Sequence, residues 1–326
     1  MSPASPNASS RPEPDGPARS AIPRRRLNRY LDLADGRRLA YADCGAPDGH
    51  PIVFSHGMPG SRLEAGFFHH QARRDGFRIL ALDRPGIGFS SRQTRHGMGE
   101  YADDVELLVD QLGIESFTAM GWSSGGSRSL ACARALGRRV ERVLLLSSYT
   151  HLEEYSLGGR WFLETGWPGQ GFLALGMPVF RFVVACVARL ARWRSGAYLT
   201  QVRKLTSPDD RQLLEDPEHW ELFHRDQLVC LHSSGRAIAQ DLANELAHWG
   251  FELSEVKVPV TVFQGTDDPF TPPDFARHLV ESLPHARLEM LPQRGHFYLL
   301  DEAFQAGLFA ALGRELSRPP DGRSGR

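Results

Sequence analysis

Charge of one sign is the first thing this chain lacks. Lys plus Arg number 38 and Asp plus Glu 39, which leaves a formal net charge of -1 over 326 residues. No global field draws it to nucleic acid or an acidic surface, and a small-molecule substrate fits better. Cysteine is scarce too: Cys44, Cys132, Cys186 and Cys230 are widely scattered, without CxxC or Cys/His ligand spacing, and are expected to be reduced packing residues. The histidines, including the adjacent His69 and His70, have no partners at metal-ligand spacing. No metal and no organic cofactor is expected. An unbroken bilayer-length apolar run is also missing, because Pro178, Arg181, Arg189 and Arg192 interrupt the apolar stretch from Phe172 to Trp193. Interfacial docking by that stretch is one reading and a buried helix the preferred one. The first two dozen residues have no apolar segment of the kind a secretory signal needs, so the expected location is cytoplasmic.

What is present is an ordinary globular composition, 41% apolar and 24% charged, with enough length for one large core and a sizeable insertion. Residues 1–25 and 318–326 read as a disordered leader and tail, unable to bury enough apolar surface to offset their ordering entropy. Arg29 to Leu33 and Arg38 to Asp43 flank Asp35-Gly36, the signature of an antiparallel hairpin. From Ile52, short apolar runs alternate with helical stretches: IVFS, then Arg62 to Arg74; RILALD from Arg78, then Tyr101 to Leu112; FTAMGW from Phe117, then Ser124 to Leu136; VLLLS from Val143. The rhythm stops near Thr150 and resumes at Pro259 with PVTVFQG, a helix near Phe275 to Leu283, RLEML from Arg287 and a last helix from about Ala303 to Leu316. Repeated βαβ units predict an α/β fold with a mainly parallel, twisted sheet flanked by helices. Residues 26–150 and 256–317 form the core of this reading, and residues 151–255 a helical insertion above it.

Gly121-Trp122-Ser123-Ser124-Gly125 follows an apolar strand and opens a helix, the context in which GxSxG projects a serine hydroxyl from a strained turn. Ser123 is the candidate nucleophile. A serine hydroxyl needs a general base, and the base needs an acid to hold its tautomer. Both follow in that order: Asp268 in Gly265-Thr266-Asp267-Asp268-Pro269 and His296 in Arg294-Gly295-His296, each just past a strand. Asp267 competes with Asp268 for the acid role. Donors for an oxyanion are expected from the backbone N–H of Ser124 and of Met58, in His56-Gly57-Met58-Pro59-Gly60.

On these residues the chain resembles the α/β-hydrolase superfamily over roughly Arg29 to Leu316. The resemblance rests on FSHGMPGSR, LDRPGIGFS, GWSSGG, and GTDDPFTP with RGH, in family order. It implies the α/β-hydrolase fold, makes the insertion a helical lid, and selects Asp268 as the acid. HGMPG is similar to the HGGPG loop of proline iminopeptidases, with Met58 in place of a glycine. The expected activity is carboxylic-ester hydrolysis through an acyl-enzyme. The alternatives are an aminopeptidase, with Glu153 and Glu154 binding a substrate ammonium group, and a non-catalytic ligand-binding relative. The lid is expected only to cover the site, with Trp161, Phe162, Trp167, Phe180 and Phe182 as a hydrophobic wall for an acyl or aromatic group.

Overall fold

The computed structural model describes residues 22–93, 96–155 and 176–317. The tail, most of the leader, and Trp161, Phe162 and Trp167 lie outside the described residues. Eight strands form one sheet: β1 (Arg29–Asp32), β2 (Arg38–Gly45), β3 (His50–Ser55), β4 (Phe77–Leu82), β5 (Phe117–Trp122), β6 (Val140–Leu146), β7 (Val260–Gly265) and β8 (Ala286–Leu291). Their order is β1-β2-β4-β3-β5-β6-β7-β8. β1/β2 and β2/β4 pair antiparallel and the remaining pairs are parallel.

Alternation along each strand sorts the core into two layers. Val53, Leu80, Ala119, Val143 and Leu145 point to one face, where they meet α3 (Met98–Gln111), α4 (Gly125–Leu136) and α10 (Pro273–Ser282). Ile52, Phe54, Ile79, Met120 and Leu144 point to the other, under α2 (His69–Asp75) and α11 (Glu302–Leu316). From β3 the chain passes to β4 on one side and later to β5 on the other. The crevice beyond the carboxyl ends of β3 and β5 is therefore a topological switch point, the place where such sheets bind ligands.

Two boundaries differ from the sequence reading. The stretch expected as one helix, Arg62 to Arg74, is a 3₁₀ segment over Arg62–Phe68 followed by α2, which ends at Gly76 with φ +78°. The Arg62 side chain is fully buried and is held by Asp83, the Leu27 carbonyl and Asn28, which ties the segment down from its first residue. The helical turn α1 (Arg24–Leu27) crosses the expected leader boundary at residue 25, because Leu27 is buried in the core.

Among the described residues five α-helices lie between β6 and β7: α5 (Met177–Trp193), α6 (Ser195–Leu205), α7 (Pro208–Leu213), α8 (Pro217–His232) and α9 (Gly235–Leu246). Proline within the first turn and a Ser or Asp cap start α7 and α8, where side-chain oxygens accept otherwise orphaned N–H groups. α9 is joined to the core by buried charge. Asp241 accepts from both Arg84 and Arg128, and Glu245 accepts from Arg128 and from Ser127 Oγ. All four charged side chains are 1–2% exposed. Burial by itself would raise the Asp241 pKa, but the two guanidinium groups outweigh it and hold the carboxyl well below the usual range.

Removing Asp241 would leave Arg84 charged and buried without a carboxylate partner, and Arg128 with Glu245 alone. Asp241→Ala is expected to cost about 3–5 kcal/mol in urea unfolding. A loss below ~1 kcal/mol would show that water reaches Arg84 and Arg128 in the folded state.

Candidate active site

Ser123 has φ +55°, a left-handed backbone conformation that an ordinary side chain adopts only when its surroundings force it. The surroundings are two glycines. A Cβ on Gly121 would run into the Gly125 backbone, and one on Gly125 would run into the Ser55 carbonyl. Their absence lets α4 start directly against the end of β3. The Ser123 N–H donates to the Leu146 carbonyl at 2.9 Å, which fixes the turn to β6.

His296 and Asp268 are brought together from the loops after β8 and β7. His296 Nδ1 lies 2.7 Å from Asp268 Oδ2. The Phe270 and Thr271 N–H groups donate to Asp268 Oδ1 at 2.8 and 3.0 Å, and Thr271 Oγ1 donates to Oδ2 at 2.8 Å. Burial would push the Asp268 pKa up, yet the charge and hydrogen bond of His296, with the Thr271 N–H, bring it below the ordinary value. Asp267 points elsewhere: it is exposed and accepts from Thr266 Oγ1 at 2.8 Å. Trp122, just before the serine, donates from Nε1 to the His296 carbonyl at 3.1 Å and packs its ring 5.2 Å from the imidazole.

Ser123, His296, Gly57, Met58 and Pro59 line one cavity of about 220 Å³, walled by Trp122, Tyr149, Tyr198, Val202, Phe223, Phe270 and Phe297, with Gln227 as a polar lining residue. Ser124 is buried at the start of α4, where the first N–H groups have no partner within the helix. Phe180 and Phe182 do not form the expected wall. Phe180 is 1% exposed and packed inside, Phe182 is 70% exposed on the outside, and neither lines this cavity. Glu153 and Glu154 do not line it either; Glu154 Oε1 accepts the Leu253 N–H at 2.8 Å. Cys186, expected to pack, is exposed on α5, whereas Cys44, Cys132 and Cys230 are buried.

Several residues that hold this site escaped the sequence reading. Asp210 of α7 is fully buried, and its carboxylate accepts the N–H groups of His296 at 3.0 Å and Phe297 at 2.7 Å. Ser207-Pro208-Asp209-Asp210 is legible as a helix start, since Ser207 and Asp210 cap one another. Nothing local tells which distant loop it also serves. Gly295 fits this contact, because a Cβ there would strike the Asp210 carboxylate. The Met58 loop is held in a similar way. Glu64 Oε2 accepts the Gly57 N–H at 2.8 Å, Asp226 Oδ1 accepts the Ser61 N–H at 2.8 Å and its hydroxyl at 2.5 Å, and Gln227 Nε2 donates to the Pro59 carbonyl at 2.7 Å. The insertion thus does more than cover the site, contrary to the sequence expectation. Among the described residues no cluster of His, Cys, Asp and Glu could hold a metal ion.

A family model described as alpha/beta hydrolase fold matches residues 50–303. The chain is 29% identical to a non-heme chloroperoxidase of Streptomyces lividans, across 81% of this chain and 95% of that one. It is 24% identical to a proline iminopeptidase of Neisseria gonorrhoeae, across 82% and 89% of the two chains. Among solved structures, an esterase from Exiguobacterium antarcticum superposes with a TM-score of 0.65 at 20% identity, covering 90% of this chain and all of that one, a likeness of fold.

Asp210→Asn keeps the size of the side chain but turns an amide NH₂ toward N–H groups that now find a carboxylate oxygen. Labelling of Ser123 by a fluorophosphonate is expected to slow by about tenfold or more, since small misplacements of a base are costly. An unchanged labelling rate in a variant that melts earlier would reduce Asp210 to a helix cap. Asp226 gives a pH signature. Burial, helped by the negative charge of Asp83, pushes its pKa up to about 7 against the pull of the Ser61 hydrogen bonds. The folded chain then keeps a proton that the unfolded chain releases near pH ~4, so stability falls as pH rises from about 4 to 7 and levels off above. Asp226→Asn should flatten that limb by up to ~1.4 kcal/mol per pH unit. Parallel slopes in wild type and variant would sink this assignment.

Proposed function

The chain belongs to the alpha/beta hydrolase fold family, and from that premise we propose that it is a serine hydrolase that cleaves a carboxylic ester through an acyl-enzyme. The observation that carries this reading is one cavity lined by a strained Ser123, an Asp268-paired His296 and the Met58 loop. In the proposed cycle, Ser123 Oγ adds to the acyl carbon while His296 Nε2 takes its proton. Asp268 holds Nδ1–H and stabilises the imidazolium, without itself taking the proton. The N–H groups of Met58 and Ser124 stabilise the oxyanion, where preorganised donors are worth most. The carbonyl re-forms, the C–O bond to the leaving alcohol breaks, and His296 protonates that oxygen. Water then adds to the acyl-enzyme by the same route and releases the acid.

Substrate class follows from the cavity wall. It is aromatic and aliphatic, and among the described residues no carboxylate lines it. This supports a short, uncharged acyl or aromatic ester over a substrate with a free ammonium group, which would have to lose its water without gaining a counter-charge. The aminopeptidase alternative thereby lacks the acidic partner that Glu153 and Glu154 were expected to supply. The helices between β6 and β7 act as the lid in this reading.

Three substitutions test it together on an aryl acetate. Ser123→Ala is expected to lower kcat by about 10³-fold or more with an unchanged melting temperature, and to abolish fluorophosphonate labelling. Asp268→Asn should be nearly as damaging, and Asp267→Asn close to neutral. Full activity in Ser123→Ala would leave the chain a binding protein or an enzyme of another mechanism. Turnover of amino-acid amides with none of esters would select the aminopeptidase.

A further inference from the structure

Helix α5 presents an exposed apolar face among the described residues. Val179, Phe182, Leu190 and Trp193 are 39%, 70%, 56% and 75% exposed. At helical spacing they fall within an arc of about 80°. The adjoining arc carries Arg181, Arg189 and Arg192, all exposed. The opposite side, with Phe180, Val184 and Ala188, is turned into the molecule, and Val184 and Ala188 pack in a cluster with Ile87, Cys230 and Ile238. The helix therefore has three sectors: one packed, one cationic and one apolar but open to water.

Beside the cationic sector runs an open furrow of about 1260 Å³, with Arg189 and Arg192 among its lining residues from α5 and Arg92 and Arg236 from other elements, and with Phe182 and Trp193 also lining it. Among the described residues no carboxylate lines it, and none of these arginines has an acidic partner. Arg194 lies 5.1 Å over the Trp193 ring and brings a further positive charge to the end of the stripe. In a chain of net charge -1 this is a local concentration of unpaired cations.

We propose that this face docks on an anionic lipid surface, with Phe182, Leu190 and Trp193 entering the headgroup boundary and the arginines meeting lipid phosphates. The two sectors select this occupant together. A soluble anion in the furrow would neutralise the arginines and leave the apolar stripe in water. A second copy of the chain in a two-fold contact would set arginine against arginine. An anionic bilayer answers both, since amphipathic helices bind where apolar burial and attraction to acidic headgroups add. The docking is peripheral, because no helix among the described residues is long and apolar enough to cross a membrane.

The test is co-sedimentation of the full chain with vesicles of phosphatidylcholine alone and of phosphatidylcholine mixed with phosphatidylglycerol. Binding is expected only to the mixed vesicles and should weaken as salt rises. The pair Arg189→Gln, Arg192→Gln should weaken partitioning by about five-fold for each arginine. The pair Phe182→Ala, Trp193→Ala should weaken it as well, with unchanged melting temperatures in both variants. Failure of the wild-type chain to bind mixed vesicles would overturn the proposal, as would binding that survives both pairs. A wild-type dimer that the apolar pair converts to monomer would assign the face to self-association.

Discussion

The whole site hangs on the close approach of α4 to the end of β3. Gly125 rests against the Ser55 carbonyl with no room for a side chain, and Gly121 leaves the same room on the strand side. Only then can Ser123 take its left-handed backbone and stand in a cavity shared with the loop after β3. The strain costs of order 1–3 kcal/mol and persists because the sheet on both sides over-determines the turn. Position in the sheet supplies the rest. β3 and β5 are neighbours, so the loop bearing Met58 and the turn bearing Ser123 emerge side by side. β7 and β8 follow on the same side beyond β6, so Asp268 and His296 arrive from the loops of the two last strands.

Three buried attachments then tie the insertion to those loops. Asp210 on α7 holds the backbone of the His296 loop, Asp226 and Gln227 on α8 hold the Met58 loop, and Asp241 and Glu245 on α9 hold Arg84 and Arg128 beside the Ser123 turn. Each sets one or two buried acidic side chains, in one case beside an amide, against N–H or hydroxyl donors, where a missing partner is expensive. Such contacts specify one arrangement of the loops more strongly than apolar packing, which tolerates sliding. The insertion is therefore part of what sets the geometry of the candidate site, adding anchors to the Met58 and His296 loops beyond those that Glu64, Trp122 and Asp268 supply from the core.

This division explains what could be read from the chain and what could not. Strand alternation and the βα rhythm placed the sheet and its flanking helices, since they depend on neighbours two to four residues apart. The GxSxG turn and the loops that carry Asp268 and His296 are also local, and the structure puts each where its strand ends. The anchors are not local: Asp210 and His296 are 86 residues apart in sequence, Ser61 and Asp226 165, and Arg128 and Asp241 113. Apolar residues of the insertion were misassigned for a related reason. Helical spacing shows that Phe180 and Phe182 face different directions, but not which direction is the inside. The structure settles it by packing Phe180 and exposing Phe182.

The insertion thus works at two surfaces with opposite requirements. Toward the sheet it holds its place with charges that are buried and set against opposite charges. On the outer face of α5 it keeps arginines without acidic partners among the described residues and aromatics exposed, an arrangement that leaves apolar area in water. A cover whose task ended at the cavity would have no use for the second surface. The apolar cluster beneath α5 joins the two, since Val184 of that helix and Met58 of the loop after β3 both pack against the one cluster that Ile87, Ala188, Cys230, Ala237 and Ile238 form. α5 and the cavity loop therefore border one apolar cluster, and well-packed interiors transmit strain from one side to the other.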